Sequence, residues 1–237
     1  MNVFAISDLH LSINNPKPMD IFGPVWDGYL ETIERDWAAK VTDEDIVLLP
    51  GDLSWAMKID EAKADIDYIG AFPGRKVIIR GNHDYWWKSI SAVRSLLPDG
   101  MYAVQNDALR LDGCVICGTR LWTTPEPGKE QPAADKVIYD RELLRLRMSL
   151  DAAKKLRAEG DRLVVMLHYP PFNSTFRPTV FTDAIAEYSP DAVVYGHLHG
   201  SASRVRRLLT INDIPYYLTS CDLVNLSLIH ISEPTRH

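Results

Sequence analysis

Cysteine is scarce in this 237-residue chain, with only Cys114, Cys117 and Cys221. Three cannot build a disulfide framework. Cys114 and Cys117 have the spacing of half a zinc site, but no second cysteine pair completes one. They lie in the strand-like Cys114-Val115-Ile116-Cys117 and read as buried free thiols, which suits a reducing cytoplasm. Long apolar runs are missing too, so no membrane anchor is expected. The N-terminus opens on strand-like Val3 to Ile6, not on the basic region and long apolar segment of a signal peptide. Positive charge is not in excess: 26 Lys and Arg face 32 Asp and Glu, for a net charge of -6. That excludes a uniformly basic nucleic-acid footprint, although a metal site can still attract phosphate locally. No repeat, coiled coil or disordered linker interrupts the chain. Its 46% hydrophobic content suffices for one sizeable core and is short for two ordinary domains.

The final twelve residues, Leu226 to His237, stand apart. Leu-Ser-Leu-Ile-His-Ile-Ser-Glu-Pro-Thr-Arg resembles the translation of an adapter oligonucleotide used in sequencing libraries. We therefore read 226–237 as a non-native tail and residues 1–225 as a single domain. Of the seven histidines, His230 and His237 fall in that tail. The remaining five are His10, His83, His168, His197 and His199, and each sits in a candidate site motif. One histidine is easily a core or surface residue; five so placed are not.

Hydrophobic patterning supplies the frame. Val3 to Ile6, Ile46 to Leu49 and Lys76 to Ile79 read as buried strands. Amphipathic Tyr29 to Lys40 and Ile59 to Ile69 read as the helices between them. Three such units imply a parallel sheet with right-handed crossovers, which would set Asp8, Asp52 and Asn82 side by side along one sheet edge. The loop from Asn14 to Gly28, long for a connector, can fold over a site or simply pack Trp26 on the next helix. Trp87 to Leu97 reads as helical. Beyond it, Tyr102 to Val104, Ala108 to Leu111 and Val115 to Cys117 read as antiparallel hairpins of a second sheet, turning at Asn106-Asp107 and Asp112-Gly113. Ala134 to Glu159 reads as one long helix or two broken ones. Leu163 to Leu167 delivers His168, Thr182 to Tyr188 reads as a short helix, and Ala192 to Tyr195 delivers Gly196-His197-Leu198-His199. Val205 to Leu209 and Pro215 to Thr219 read as a hairpin around Asn212-Asp213.

Asp8, His10, Asp52, Asn82, His168, His197 and His199 form a mixed oxygen and nitrogen donor set. It suits manganese, iron, zinc, cobalt or nickel. Calcium would want more oxygens and a structural zinc site more cysteines. One metal cannot use seven ligands; two can if Asp52 bridges them. His83 is left over beside Asn82. It suits a general acid, with Asp84 orienting its ring or raising its basicity.

The ordered set Asp8-x-His10, Gly51-Asp52, Gly81-Asn82-His83-Asp84, His168 and Gly196-His197-x-His199 resembles the calcineurin-like metallophosphoesterase superfamily, in particular a bacterial branch of predicted phosphohydrolases. The resemblance implies an α/β fold, a four-layer α/β/β/α sandwich with two mixed sheets. It implies two divalent or Fe/Mn-type ions, manganese foremost. One is held by Asp8, His10, Asp52 and His199; the other by Asp52, Asn82, His168 and His197. It also implies in-line attack by a metal-bridging hydroxide, with His83 protonating the leaving oxygen.

Two departures matter. The superfamily often has another Asp three positions after the Gly-Asp motif; here that position is Trp55, after Leu53-Ser54. The Arg that follows this Asp in phosphoprotein phosphatases is also absent, which argues against a Ser/Thr phosphoprotein phosphatase. Arg80 can reach a phosphate or pair with a carboxylate. Tyr85, Trp86, Arg120, Tyr169 and Asn173 are candidate substrate contacts in nearby loops. The expected partner is a small phosphorylated substrate, a nucleotide or nucleotide-linked metabolite among them, hydrolysed as a monoester or diester. The rivals are a nuclease of the same fold, which would need a positive groove, and a non-catalytic scaffold, which would be expected to have lost ligands. Nothing in the pattern sets an oligomeric state.

Overall fold

A computed structural model describes residues 1–200 and 205–231. The first sheet holds β1 (Val3–Ala5), β2 (Ile46–Leu49), β3 (Arg75–Ile78) and β4 (Met101–Ala103) in parallel. At its other edge β11 (Ile229–His230) lies antiparallel to β1. The second sheet runs in the order β5 (Ala108–Leu111), β6 (Cys114–Thr119), β7 (Arg162–Leu167), β8 (Ala192–Tyr195), β10 (Ile214–Leu218) and β9 (Leu208–Ile211). Its four middle strands are parallel and its two edges antiparallel. Both sheets are thus mixed, as expected.

Strand alternation builds the layers. In β1, Phe4 points to the outer helices while Val3 and Ala5 point between the sheets. Ile46, Leu48 and Val77 from the first sheet meet Ile116, Val164, Met166 and Val194 from the second in that inner layer. Outside the first sheet lie α1 (Tyr29–Lys40), α2 (Lys63–Gly70) and α3 (Ile90–Leu96). Outside the second lie α4 (Ala133–Leu156) and α5 (Val180–Ala186). Tyr29, Ile33 and Trp37 are the inward stripe of α1, and Leu146, Leu150 and Ala153 that of α4. This is the four-layer sandwich, and α4 is one unbroken helix.

Two expectations are adjusted, and one segment is located. Met101–Ala103 forms no hairpin with Ala108–Leu111. It pairs in parallel with β3 and covers an edge that would otherwise stand open, and the chain then crosses to the second sheet through Asn106 at φ 61°. Helix α2 starts at Lys63, four residues later than its apolar pattern suggested. Leu226, Leu228 and Ile231, in the segment set apart as a tail, are buried against the first sheet beside β11; its residues 232–237 lie outside the described ones.

Leu48 is fully buried between the sheets. Leu48→Ala should lower the unfolding free energy by about 2–5 kcal/mol in urea denaturation. A loss under about 1 kcal/mol would contradict a close-packed inner layer.

Candidate metal centre

The carboxyl ends of β1, β2, β3, β7 and β8 converge, and their exits are tied by backbone bonds. Asp8 N–H donates to Gly51 O (3.1 Å), His10 N–H to Asp52 O (3.0 Å) and Gly196 N–H to His168 O (3.1 Å). Asp8 also joins the two sheets, because its carboxylate accepts the His197 N–H at 3.1 Å. The approach leaves no room for side chains at the motif glycines. A Cβ on Gly51 would lie 2.8 Å from the Gly81 Cα, and one on Gly81 would fall on the Asp52 carboxylate. Four of the seven expected ligands adopt left-handed backbone: Asp8 (φ 59°), His10 (48°), Asp52 (52°) and His197 (71°). Such conformations cost roughly 1–3 kcal/mol each and concentrate at functional sites.

All seven expected ligands are brought together. Asp8, His10 and His199 form one cluster that could hold a cation; Asp8, Asp52 and His168 form a second. Asp52 Oδ2 faces both, 3.9 Å from His10 Nε2 and 3.6 Å from His168 Nε2. Asn82 Oδ1 lies 2.6 Å from His168 Nε2 and 2.8 Å from His197 Nδ1. His168 Nδ1 is 3.0 Å from the carbonyl of Pro50, which can only accept. A neutral His168 therefore spends its proton there and turns a bare Nε2 toward Asn82 and Asp52. Asp52 Oδ2 and His10 Nδ1 are buried with no hydrogen-bond partner among the described residues. Converging lone pairs and a stranded carboxylate oxygen are costly in a protein alone. The donor set fits two cations.

Electrostatics agree with that fit. Burial pushes His10 down to about 3, His168 to about 4 and His197 to about 3, so each is a neutral imidazole ready to donate. Burial, then the charges of Asp8 and Asp84, push Asp52 up to about 9. Burial opposes ionisation of Asp8 as well, yet the bond from His199 and the positive charge of that ring hold it well below the usual carboxylate range. His199 goes the other way, up to about 10 against its burial, because Asp222 and Asp8 hold its proton. Asp222 was missed in the sequence. Its Oδ1 lies 3.0 Å from His199 Nδ1 and its Oδ2 accepts the Gly200 N–H at 3.0 Å, so it fixes the ring. The only signal was a carboxylate just past a strand end.

His83 sits at the rim. Its N–H donates to Asp52 Oδ1 (2.8 Å), and its ring lies 5.5 Å from that of His10 and 4.7 Å from that of Trp55. Burial lowers its pKa, against the opposing charge of Asp84. Its Nδ1 has no hydrogen-bond partner among the described residues. The expected Asp84–His83 pairing is therefore corrected, since the Asp84 carboxylate is fully engaged elsewhere. It accepts from the N–H groups of Gly81 (2.7 Å), Asp52 (2.9 Å), Leu53 (2.9 Å) and Ser54 (3.2 Å) and from Trp86 Nε1 (3.0 Å). Asp84 builds the loops and does not touch the His83 ring, although its charge does raise that ring's basicity, the other half of the expectation.

Of the expected substrate contacts, Trp86 is corrected too: it is fully buried, with its indole N–H on Asp84. Asn173 lines a cleft of about 840 Å3 with Tyr169, Phe172 and His197, but its amide is spent on Pro125 O and Thr175. Tyr169 packs on the His197 ring at 4.0 Å. Tyr85 is exposed, 6.2 Å from His83. Arg120 lies over the Trp122 ring, away from both clefts. A second cleft, of about 730 Å3, is lined by His10, His83 and His199 together with Phe22, Trp26 and Trp55. The 14–28 loop does both things expected of it: Trp26 packs on Tyr29 at 5.1 Å and reaches within 6.2 Å of His10 and 6.0 Å of His199. Trp55, at the position where an Asp was expected, stacks on His10 at 4.6 Å.

The sandwich and its two cation clusters define a metal-dependent hydrolase. A profile of the calcineurin-like phosphoesterase family matches residues 1–201, and the chain belongs to that family. The fold is similar to that of TT1561 of Thermus thermophilus, with TM-score 0.59 at 14% identity, covering 96% of each chain. It is also similar to that of AQ665, a protein of unknown function from Aquifex aeolicus, with TM-score 0.50 at 17% identity, covering 97% of this chain and 95% of the other. A search of curated proteins finds no match. Among the described residues, no helix is long and apolar enough to cross a membrane.

Two outcomes are expected. Asp84→Ala strands four backbone N–H groups and an indole N–H in a buried site. It should lower stability by about 3–5 kcal/mol and reduce metal content; calorimetry and elemental analysis check both, and an unchanged melting profile would refute the anchoring role. Metal must also displace protons from Asp52 and His199, whose pKa values stand above neutrality without it. Manganese affinity should therefore rise with pH from 6 to 9, with net proton release in titrations run in buffers of different ionisation enthalpy. Affinity independent of pH would contradict this assignment.

Proposed function

We propose that the chain hydrolyses a small phosphomonoester or phosphodiester, a nucleotide or nucleotide-linked metabolite among the candidates, with manganese as the working ion. The carrying observation is the juxtaposition of two cation clusters with a histidine, at the mouth of an apolar cleft, whose Nδ1 has no hydrogen-bond partner among the described residues. Asp8, His10, Asp52 and His199 would hold one ion, and Asp52, Asn82, His168 and His197 the other. Such a pair supplies Lewis-acid activation of water and of the phosphoryl oxygens.

The protein's own residues do the rest. Asp52 holds the His83 backbone, so the general acid stays in register with the centre. Because His83 Nδ1 is enclosed, Nε2 is the nitrogen open to the cleft. As the P–O bond breaks, His83 Nε2–H gives its proton to the departing oxygen. Burial keeps the free imidazole neutral, so the negative charge of bound substrate is what favours the protonated form. The leaving group then faces Phe22, Trp26 and Trp55, an apolar and aromatic surface. Clefts of this size suit a small molecule, and a chain of net charge -6 gives a polymer little to follow.

His83→Ala should slow hydrolysis of alkyl phosphates by roughly 10²–10⁴-fold and that of p-nitrophenyl phosphate far less, while manganese content stays normal. Steady-state kinetics and elemental analysis on the same preparation check this. Equal losses across leaving groups would remove His83 from the acid role.

A further inference from the structure

Beside the centre lies a third cavity, of about 280 Å3, that the hydrolytic reading does not use. Five of its lining side chains are cationic: Arg80, Lys88, Arg120, Arg141 and Arg145. One carboxylate, Glu142, faces them, and it is already engaged by Arg145 at 2.7 Å and by the Thr119 hydroxyl at 3.0 Å. Arg145 and Glu142 offset one another, which leaves four cations without a carboxylate at ion-pair distance among the described residues. Arg80 is half-buried, and its Nε is enclosed without a hydrogen-bond partner among those residues. Burial holds Arg120 below the usual arginine range, and the charges of Arg80 and Arg145 add to it against the attraction of Glu142.

Five like charges with a single carboxylate among them are unfavourable unless an anion joins them. Guanidinium groups present paired donors that match phosphate oxygens. The placement also matters. Arg80 directly precedes Gly81-Asn82. Arg120 follows β6, and its carbonyl accepts the N–H of Tyr169, the residue after His168. The charge of Arg120 is felt at His168 itself. The cavity thus backs onto the Asn82 and His168 side of the centre, whereas the apolar cleft opens beside His83 and His10.

We propose that this cavity is a second anion site, which takes a phosphoryl group of the substrate distinct from the one presented to the metal pair. As a binding site it stands on the cations and the stranded Arg80 alone. As a statement about substrate it rests on the phosphoesterase reading and narrows it to doubly phosphorylated small molecules.

The test is calorimetric and needs no turnover. Orthophosphate titrated into the manganese-loaded protein should bind at two sites per chain, and at one in the Arg80→Gln/Arg141→Gln variant. Arg141 is exposed and makes no ion pair among the described residues, so Arg141→Gln alone, with a reduced second affinity, covers the case where the double variant fails to fold. In the His83→Ala protein, a series of alkanediol bisphosphates of increasing chain length should include one that binds roughly tenfold tighter than its monophosphate. That advantage, about 1.4 kcal/mol, should vanish with Arg80→Gln. One orthophosphate per chain in both proteins would overturn the site and leave the hydrolytic reading intact. Two orthophosphates without any bisphosphate advantage would overturn the substrate-borne phosphoryl and leave a site for free phosphate. Two sites in a protein that cleaves no phosphoester would sink the hydrolytic reading alone.

Discussion

The carboxylate of Asp84 is the interaction on which the rest of the centre depends. One buried side chain accepts from four backbone N–H groups, on both the β2 and β3 exits, and from the Trp86 indole. Each of those donors would otherwise be stranded away from water. Five donors leave no place for a carboxyl proton, so the group serves as an anion. Its charge adds to that of Asp8 in raising Asp52. Position and electrostatics follow from one residue.

Around this anchor the structure tolerates several local costs at once. Asp8, His10, Asp52 and His197 hold left-handed backbone, Asp52 Oδ2 has no hydrogen-bond partner among the described residues, and neutral imidazoles crowd together. These sit where two sheets and the helices outside them meet, backed by three apolar clusters. Close packing leaves the exits little freedom to relax, so the strain persists and the ligands stay poised. Asp222 and Pro50 complete the arrangement by fixing the rings of His199 and His168. A cation entering such a set would relieve the stranded oxygen and the converging lone pairs together.

Much of this was legible in the chain because it is written in local pattern. Apolar runs ending in Ser7-Asp8, Gly51-Asp52 and Gly81-Asn82 mark strands with polar exits, and parallel crossovers then align those exits without any knowledge of contacts. What was not legible depends on long-range partners. Asp84 adjoins His83 in sequence, yet its carboxylate turns toward Leu53 and Ser54, some thirty residues away. Trp86 looks like a surface aromatic beside the motif until its indole is seen to need a buried acceptor. Met101–Ala103 has the composition of a hairpin strand, and only the open edge of β3 decides that it joins the first sheet. Asp222 carries no motif around it.

The surfaces flanking the centre are chemically unlike, and they differ in ways the metal ligands do not. The cleft beside His83 is walled by Phe22, Trp26 and Trp55, with Ile21, Phe22 and Val25 exposed nearby, so a charged leaving group would be desolvated there without compensation. The cavity behind Arg80 and Arg120 offers the opposite, fixed positive charge in a confined space. A ligand that placed its apolar part against the arginines would leave them unpaired, and one that placed its anion among the tryptophans would strand that anion. Each reversed orientation would lose on both sides, so for a ligand that used both surfaces they would together select one direction of binding. A donor set that suits several metals can in this way sit between surfaces that discriminate among ligands.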